Sequence, residues 1–146
     1  MSKKGFTLVE LMVVILIVAI LAAVAIPIMR GRIDAAKWSE GKAMMGTIAT
    51  AIRAYCAEWD GPPNVEDPQL DLTTLTIYGN ASDLGFRVGD LTGTYFQEDL
   101  FSILSGTYTV RTNTLDYVIE AQKGTGINGP DSYTLNQDGE WTAGTL

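Results

Sequence analysis

One ionisable side chain stands inside a long apolar run. Glu10 is the single charged residue in 6–29, and 11–28 holds none. A carboxylate costs roughly 2.5 kcal/mol or more near the centre of a bilayer and less toward its edge. It needs a partner there, which makes Glu10 a candidate functional residue. Missing residue types narrow the remaining chemistry. The 146 residues include no histidine, which removes Ser-His-Asp and Cys-His sites and zinc sites built on histidine. Cys56 is the one cysteine, so no intramolecular disulfide can form. It lies four residues after Ile52, on an apolar helix face, and reads as a small core residue rather than a reactive thiol. Residues 124–129 match G-x-G-x-x-G, but Pro130 and a strand follow instead of a helix. They read as a flexible strand connection. Asp131, Asp138 and Glu140 offer oxygen ligands for calcium without EF-hand spacing, and turn-forming or solvated roles are the preferred reading. The expectation is a non-enzymatic protein with no cofactor and no metal.

The elements that position Glu10 follow from composition. At about 1.5 Å per residue, residues 6–29 make about 36 Å of helix, enough to cross a hydrocarbon core of about 30 Å. In lipid the segment must be helical, because each backbone polar group needs a partner inside the segment. Pro27 removes one helical hydrogen bond and is expected to kink the helix without ending it. Charge leaves the orientation open: Lys3, Lys4 and the α-amine precede the run, while Arg30, Arg32, Lys37 and Lys42 follow it. The whole chain carries −7, and −9 without its first five residues, which hold two of ten Lys+Arg and no acid. That balance argues against nucleic acid as the main partner.

Beyond the run, Met44, Ile48, Ile52, Tyr55 and Trp59 recur at helical spacing, so the helix extends to about Trp59 with one apolar face. Asp60-Gly61-Pro62-Pro63-Asn64 ends it. In residues 60–106, 70–77 fits a short helix or a strand, Gly79, Gly85, Gly89 and Gly93 mark turns, and 95–104 is expected to be a short helix. Strands are expected at 107–111 and 115–122 around Thr112-Asn113-Thr114, and at 132–136 and 140–142 around Asp138-Gly139. The fold class is α+β: one long N-terminal helix, apolar in its first half, whose amphipathic second half packs on a small antiparallel sheet of three or four strands.

Lys3-Lys4-Gly5-Phe6-Thr7-Leu8-Val9-Glu10-Leu11 closely resembles the processing site of type IV prepilins and of type II secretion pseudopilins. The match includes a short basic leader, Gly5, Phe6, a glutamate five places after the cut, an apolar run, and Pro27 where the family often has proline. The resemblance implies a leader of residues 1–5, a transmembrane and filament-core helix at 6–29, and a globular domain at 30–146 that includes the helix to about 59. It implies cleavage between Gly5 and Phe6 by a prepilin peptidase, and N-methylation of Phe6. It implies that Glu10 of an incoming subunit meets the Phe6 amine of a neighbour. A buried pair of this kind sets register more reliably than it adds stability.

The partners implied are further copies of the chain in a helical filament, the peptidase, inner-membrane lipid, an assembly ATPase and its platform protein. The location implied is the bacterial inner membrane for a single-pass precursor, then an extracellular pilus or a periplasmic pseudopilus. Both remain open: a pilin serving adhesion, motility or DNA uptake, or a pseudopilin of type II protein secretion. Two plainer readings compete with this one. A secretory signal peptide would be cut near Ala22-Ala23-Val24-Ala25, and a simple signal anchor would have no use for Glu10.

Overall fold

The computed structural model describes residues 5–145. Lys3 and Lys4 of the expected leader lie outside the described residues. The chain divides into two compact units, Met1–Ala36 and Lys37–Leu146. Helix α1, Leu8–Glu58, contributes to both and stays helical through Pro27. Around it in the first unit, large side chains from Phe6 to Ile33 are exposed, with Phe6 at 75% and Leu21 at 65%.

The second unit holds a sheet of five strands in the order β1-β2-β3-β4-β5, each antiparallel to its neighbours. They are β1 (Gln69–Asp71), β2 (Phe101–Thr109), β3 (Thr114–Gln122), β4 (Ser132–Asn136) and β5 (Trp141–Ala143). Short 3-10 turns lie at Leu72–Thr74 and Glu98–Leu100. Strand β3 reads cleanly: Tyr117, Ile119 and Ala121 are buried on one face, and Val118 is half-buried on the other. The β2–β3 link needs a left-handed residue, and Asn113 takes φ 50° there. The β4–β5 turn uses Gly139 at φ 83°, as its Asp-Gly pair implies.

The helix expected at 95–104 is not present. Residues 98–100 form a 3-10 turn, and 101–109 is strand β2. Apolar residues at 96, 100, 103 and 104 imitate a helical face because β2 has a bulge between Ile103 and Ser105. Leu104 is the extra residue and is 52% exposed. The bulge moves the inward-facing set from Phe101 and Ile103 to Gly106 and Tyr108, so strict alternation is lost. The segment 70–77 combines both open readings, the end of β1 and a 3-10 turn. The sheet has five strands where three or four were expected, because β1 lies in the stretch whose strand character was undecided.

The helix face that meets the sheet is also shifted. Its buried residues are Trp38, Gly41, Met45, Ile48, Ala49, Ile52 and Cys56. Met45 is fully buried and Met44 only partly, while Tyr55 stays outside the core cluster. Two adjacent methionines make the face ambiguous in sequence. The ring of Phe96 decides it by packing where Gly41 has no side chain. A Cβ on Gly41 would lie 2.6 Å from the Phe96 Cζ.

The polar residues flanking this face hold the loops. The Lys37 ammonium donates to the Gly126 carbonyl at 2.6 Å. Arg53 donates to the Gln137 carbonyl at 3.1 Å and covers the Tyr117 ring. Lys42 sits over the rings of Tyr133 and Trp141. Residues 124–129 connect β3 to β4, as expected, but they are packed: Gly124 and Ile127 are buried, and the Thr125 N–H donates to the Tyr95 carbonyl at 3.1 Å.

Candidate functional site

Gly5, Phe6 and Thr7 precede the first turn of α1 in non-helical conformation. A side chain added at Gly5 would meet nothing within 4 Å, so the fold itself makes no demand for glycine there. Phe6 is exposed.

Thr7 and Glu10 close the helix start reciprocally. The Thr7 N–H donates to Glu10 Oε2 at 2.9 Å, and the Thr7 hydroxyl donates to the same oxygen at 2.7 Å. The Glu10 N–H lies 3.3 Å from Thr7 Oγ1, which accepts from it. This is a capping box, with Thr7 at the N-cap and Glu10 three residues on. Its signal, Thr-x-x-Glu ahead of an apolar run, stands in the sequence, masked by the isolated charge of Glu10. The box supplies a local partner for the carboxylate and satisfies two backbone donors that a helix start would otherwise leave unpaired.

From Leu8 onward the helix offers apolar side chains on every side, most of them half to three-quarters exposed. A continuous apolar surface of this extent calls for lipid or protein cover. Its length and composition suffice to cross a membrane. Pro27 lies inside this segment and leaves the Ala23 carbonyl without its usual donor.

The other sequence candidates are placed apart from this site. Asp131 pairs with Lys123 at 2.5 Å, while Glu140 accepts from the Asn136 amide and Asp138 from the Gln137 amide at the β4–β5 turn. Among the described residues no group of three potential metal ligands converges. Cys56 is 2% exposed, and burial pushes its thiol up to about 11, so it is protonated at neutral pH.

Glu40 is the second carboxylate with a built environment. Its Oε1 accepts from the N–H of Tyr95 at 2.8 Å and of Phe96 at 3.1 Å. Burial raises its pKa, but the backbone N–H groups of Tyr95, Phe96 and Thr94 more than offset this, and the carboxyl ends below its ordinary value. A side chain at Gly93 would strike the Glu40 carboxylate, so glycine lets the loop come this close. Glu40 thus anchors a loop. The sequence offered no sign of it, because its partners are backbone groups 55 and 56 residues away.

Comparison with known proteins gives a consistent result. Residues 1–26 match the prokaryotic N-terminal methylation motif. The fimbrial protein EcpB of Eikenella corrodens is 40% identical over 70 residues, covering 48% of this chain and 43% of that protein. A fimbrial protein of Dichelobacter nodosus is 32% identical over 93 residues, covering 64% and 55%. The type II secretion system core protein G of Pseudomonas aeruginosa is 43% identical over 54 residues, covering 37% and 38%. The chain spans about half, or less, of the length of these relatives. No solved structure gives a significant match. The chain carries a prokaryotic N-terminal methylation motif and is a relative of fimbrial proteins and of a type II secretion core protein.

Proposed function

We propose that this protein is the structural subunit of a type IV pilin-like filament, inserted in the bacterial inner membrane as a precursor. The carrying observation is that the methylation motif at residues 1–26 coincides with an exposed apolar helix whose first turn holds one carboxylate. A prepilin peptidase cuts between Gly5 and Phe6, and Phe6 is methylated on the new amine. Residues 6–29 then leave lipid for the filament core, and residues 30–146 form the outer domain. Glu10 selects the docked register by pairing with the Phe6 amine of a neighbour, while apolar packing supplies cohesion. Pro27 provides a soft point in the core helix. An assembly ATPase and its platform protein drive the process.

The capping box sharpens the role of Glu10. In the precursor its carboxylate is held by Thr7, so pairing with a neighbour exchanges one set of donors for another. No bare charge has to be exposed in lipid.

Mass spectrometry of the protein from its own cells tests the processing. The expected mature chain begins at Phe6 and carries one added methyl group. A chain that keeps residues 1–5, or one cut near residues 22–25, overturns it. Glu10→Ala and Glu10→Gln should both abolish filaments, and normal filaments from both would remove Glu10 from assembly. The similarity to a type II secretion core protein supports a second reading, a periplasmic pseudopilus. Labelled fibres extending from the cell mark the pilus, and label confined to the envelope marks the pseudopilus.

A further inference from the structure

Two exposed faces of α1 carry the same pattern. Ala19, Ala22, Ala23, Ile26 and Arg30 are spaced like Thr47, Thr50, Ala51, Ala54 and Glu58, each 28 residues later. Spacings of three, one, three and four put each set on one side of a helix. The second set walls a groove of about 510 Å³, whose other side is Leu84, Gly85 and Phe86, and Glu58 continues that wall one turn further. Arg30 and Glu58 are exposed, and neither makes an ion pair among the described residues.

We propose that this groove receives the apolar helix of a second copy, in parallel and staggered by 28 residues. The inference rests on the filament reading above and names the contact that reading needs. Charge complementarity selects the occupant: the stagger sets Arg30 against Glu58. The same stagger sets Ala19, Ala22 and Ala23 against Thr47, Thr50 and Ala51, and small residues on both sides let two helix backbones approach closely. The arrangement is parallel because every copy carries its apolar segment in the same sense through the same membrane. The stagger equals about 42 Å of ideal helix. Glu10 lies roughly 200° around the helix from Arg30, so this contact leaves Glu10 for a different neighbour.

Two measurements on the full chain, in cells that assemble it, test the stagger. The first is charge exchange. Arg30→Glu should lower filament yield at least tenfold, and Arg30→Glu with Glu58→Arg in one chain should restore it. The second is cross-linking after mild oxidation in a Cys56→Ala background. Chains carrying Arg30→Cys, mixed with chains carrying Glu58→Cys, should give a disulfide-linked dimer. Arg30→Cys mixed with Thr47→Cys should give little. A double charge variant as poor as the single one is the outcome for an arginine that grips lipid phosphate, and it overturns the stagger. Equal cross-linking of both pairs, or of neither, also overturns it. Wild-type filaments alongside such results sink the stagger alone, whereas a wild-type chain that never assembles sinks the filament reading as well.

Discussion

Phe96 is tied to α1 twice, through its backbone N–H to the Glu40 carboxylate at 3.1 Å and through its ring in the space beside Gly41. One contact is charge-assisted and the other is steric. Together they hold the segment before β2 on the helix and choose which helix face becomes the core.

Gly41→Ala should therefore destabilise the protein. In an exposed helix the change would gain roughly 0.5–1 kcal/mol, because alanine favours helix. Here the new methyl group strikes Phe96, and overpacking of a filled core costs about 1–3 kcal/mol. Denaturant unfolding of the full chain in detergent should give a net loss. An unchanged or raised midpoint would show that Phe96 moves aside freely.

Glu40 makes the loop anchor sensitive to acid. Its folded pKa is lowered, so the stabilisation is fully present above the unfolded value of about 4.5 and is lost as pH falls through the lower folded value. Glu40→Gln should be less stable than the native chain at neutral pH. The gap should close as pH drops below the ordinary carboxylate range. Unfolding midpoints of both proteins across that window check it, and a gap independent of pH would count against the anchor.

Thr7→Ala should free the start of α1 in the precursor. Loss of an N-cap side chain costs about 0.5–2 kcal/mol, and here it also removes a hydroxyl donor to Glu10. Hydrogen exchange at the amides of residues 8–11 in micelles should speed up several-fold. Thr7→Ser should restore protection. Equal exchange in all three chains would mean that lipid, not the cap, orders this turn.

Lys42→Met keeps most of the length of the side chain but removes the charge above Tyr133 and Trp141, whose ring centres lie 4.0 and 5.2 Å from the ammonium. The cation–π contribution at such a site is about 0.5–1 kcal/mol. Strand β5 should fray, seen as faster exchange at residues 141–143 and altered Trp141 fluorescence. Unchanged exchange there would place the hold on β5 in its pairing with β4 alone.

The parts legible in sequence are those whose physics is local. An apolar run of 18 residues states which solvent it needs, and a helix is the one backbone form that satisfies itself there. Asp138-Gly139 states its turn, because glycine readily accepts the φ of 83° found there. Glu10 stands out because a charge in an apolar segment is costly. Even the capping box was present as Thr7-x-x-Glu10.

What only the tertiary structure decided involves choices between near-equal local options. Met44 and Met45 are equally apolar, and the arrival of Phe96 beside Gly41 buried the second. Residues 101–104 fit a helix by spacing, but β3 offered a ladder of backbone partners, and one bulge at Leu104 reconciled the pattern with a strand. Glu40 reads as a solvated helix charge until the backbone of Tyr95 and Phe96 folds back to it. Each outcome depends on groups distant in sequence, whose arrival no local pattern records. Glu10 belongs to both classes: its cost in an apolar run follows from the sequence, while its hold on the Thr7 N–H and hydroxyl was settled by the geometry of the first helical turn.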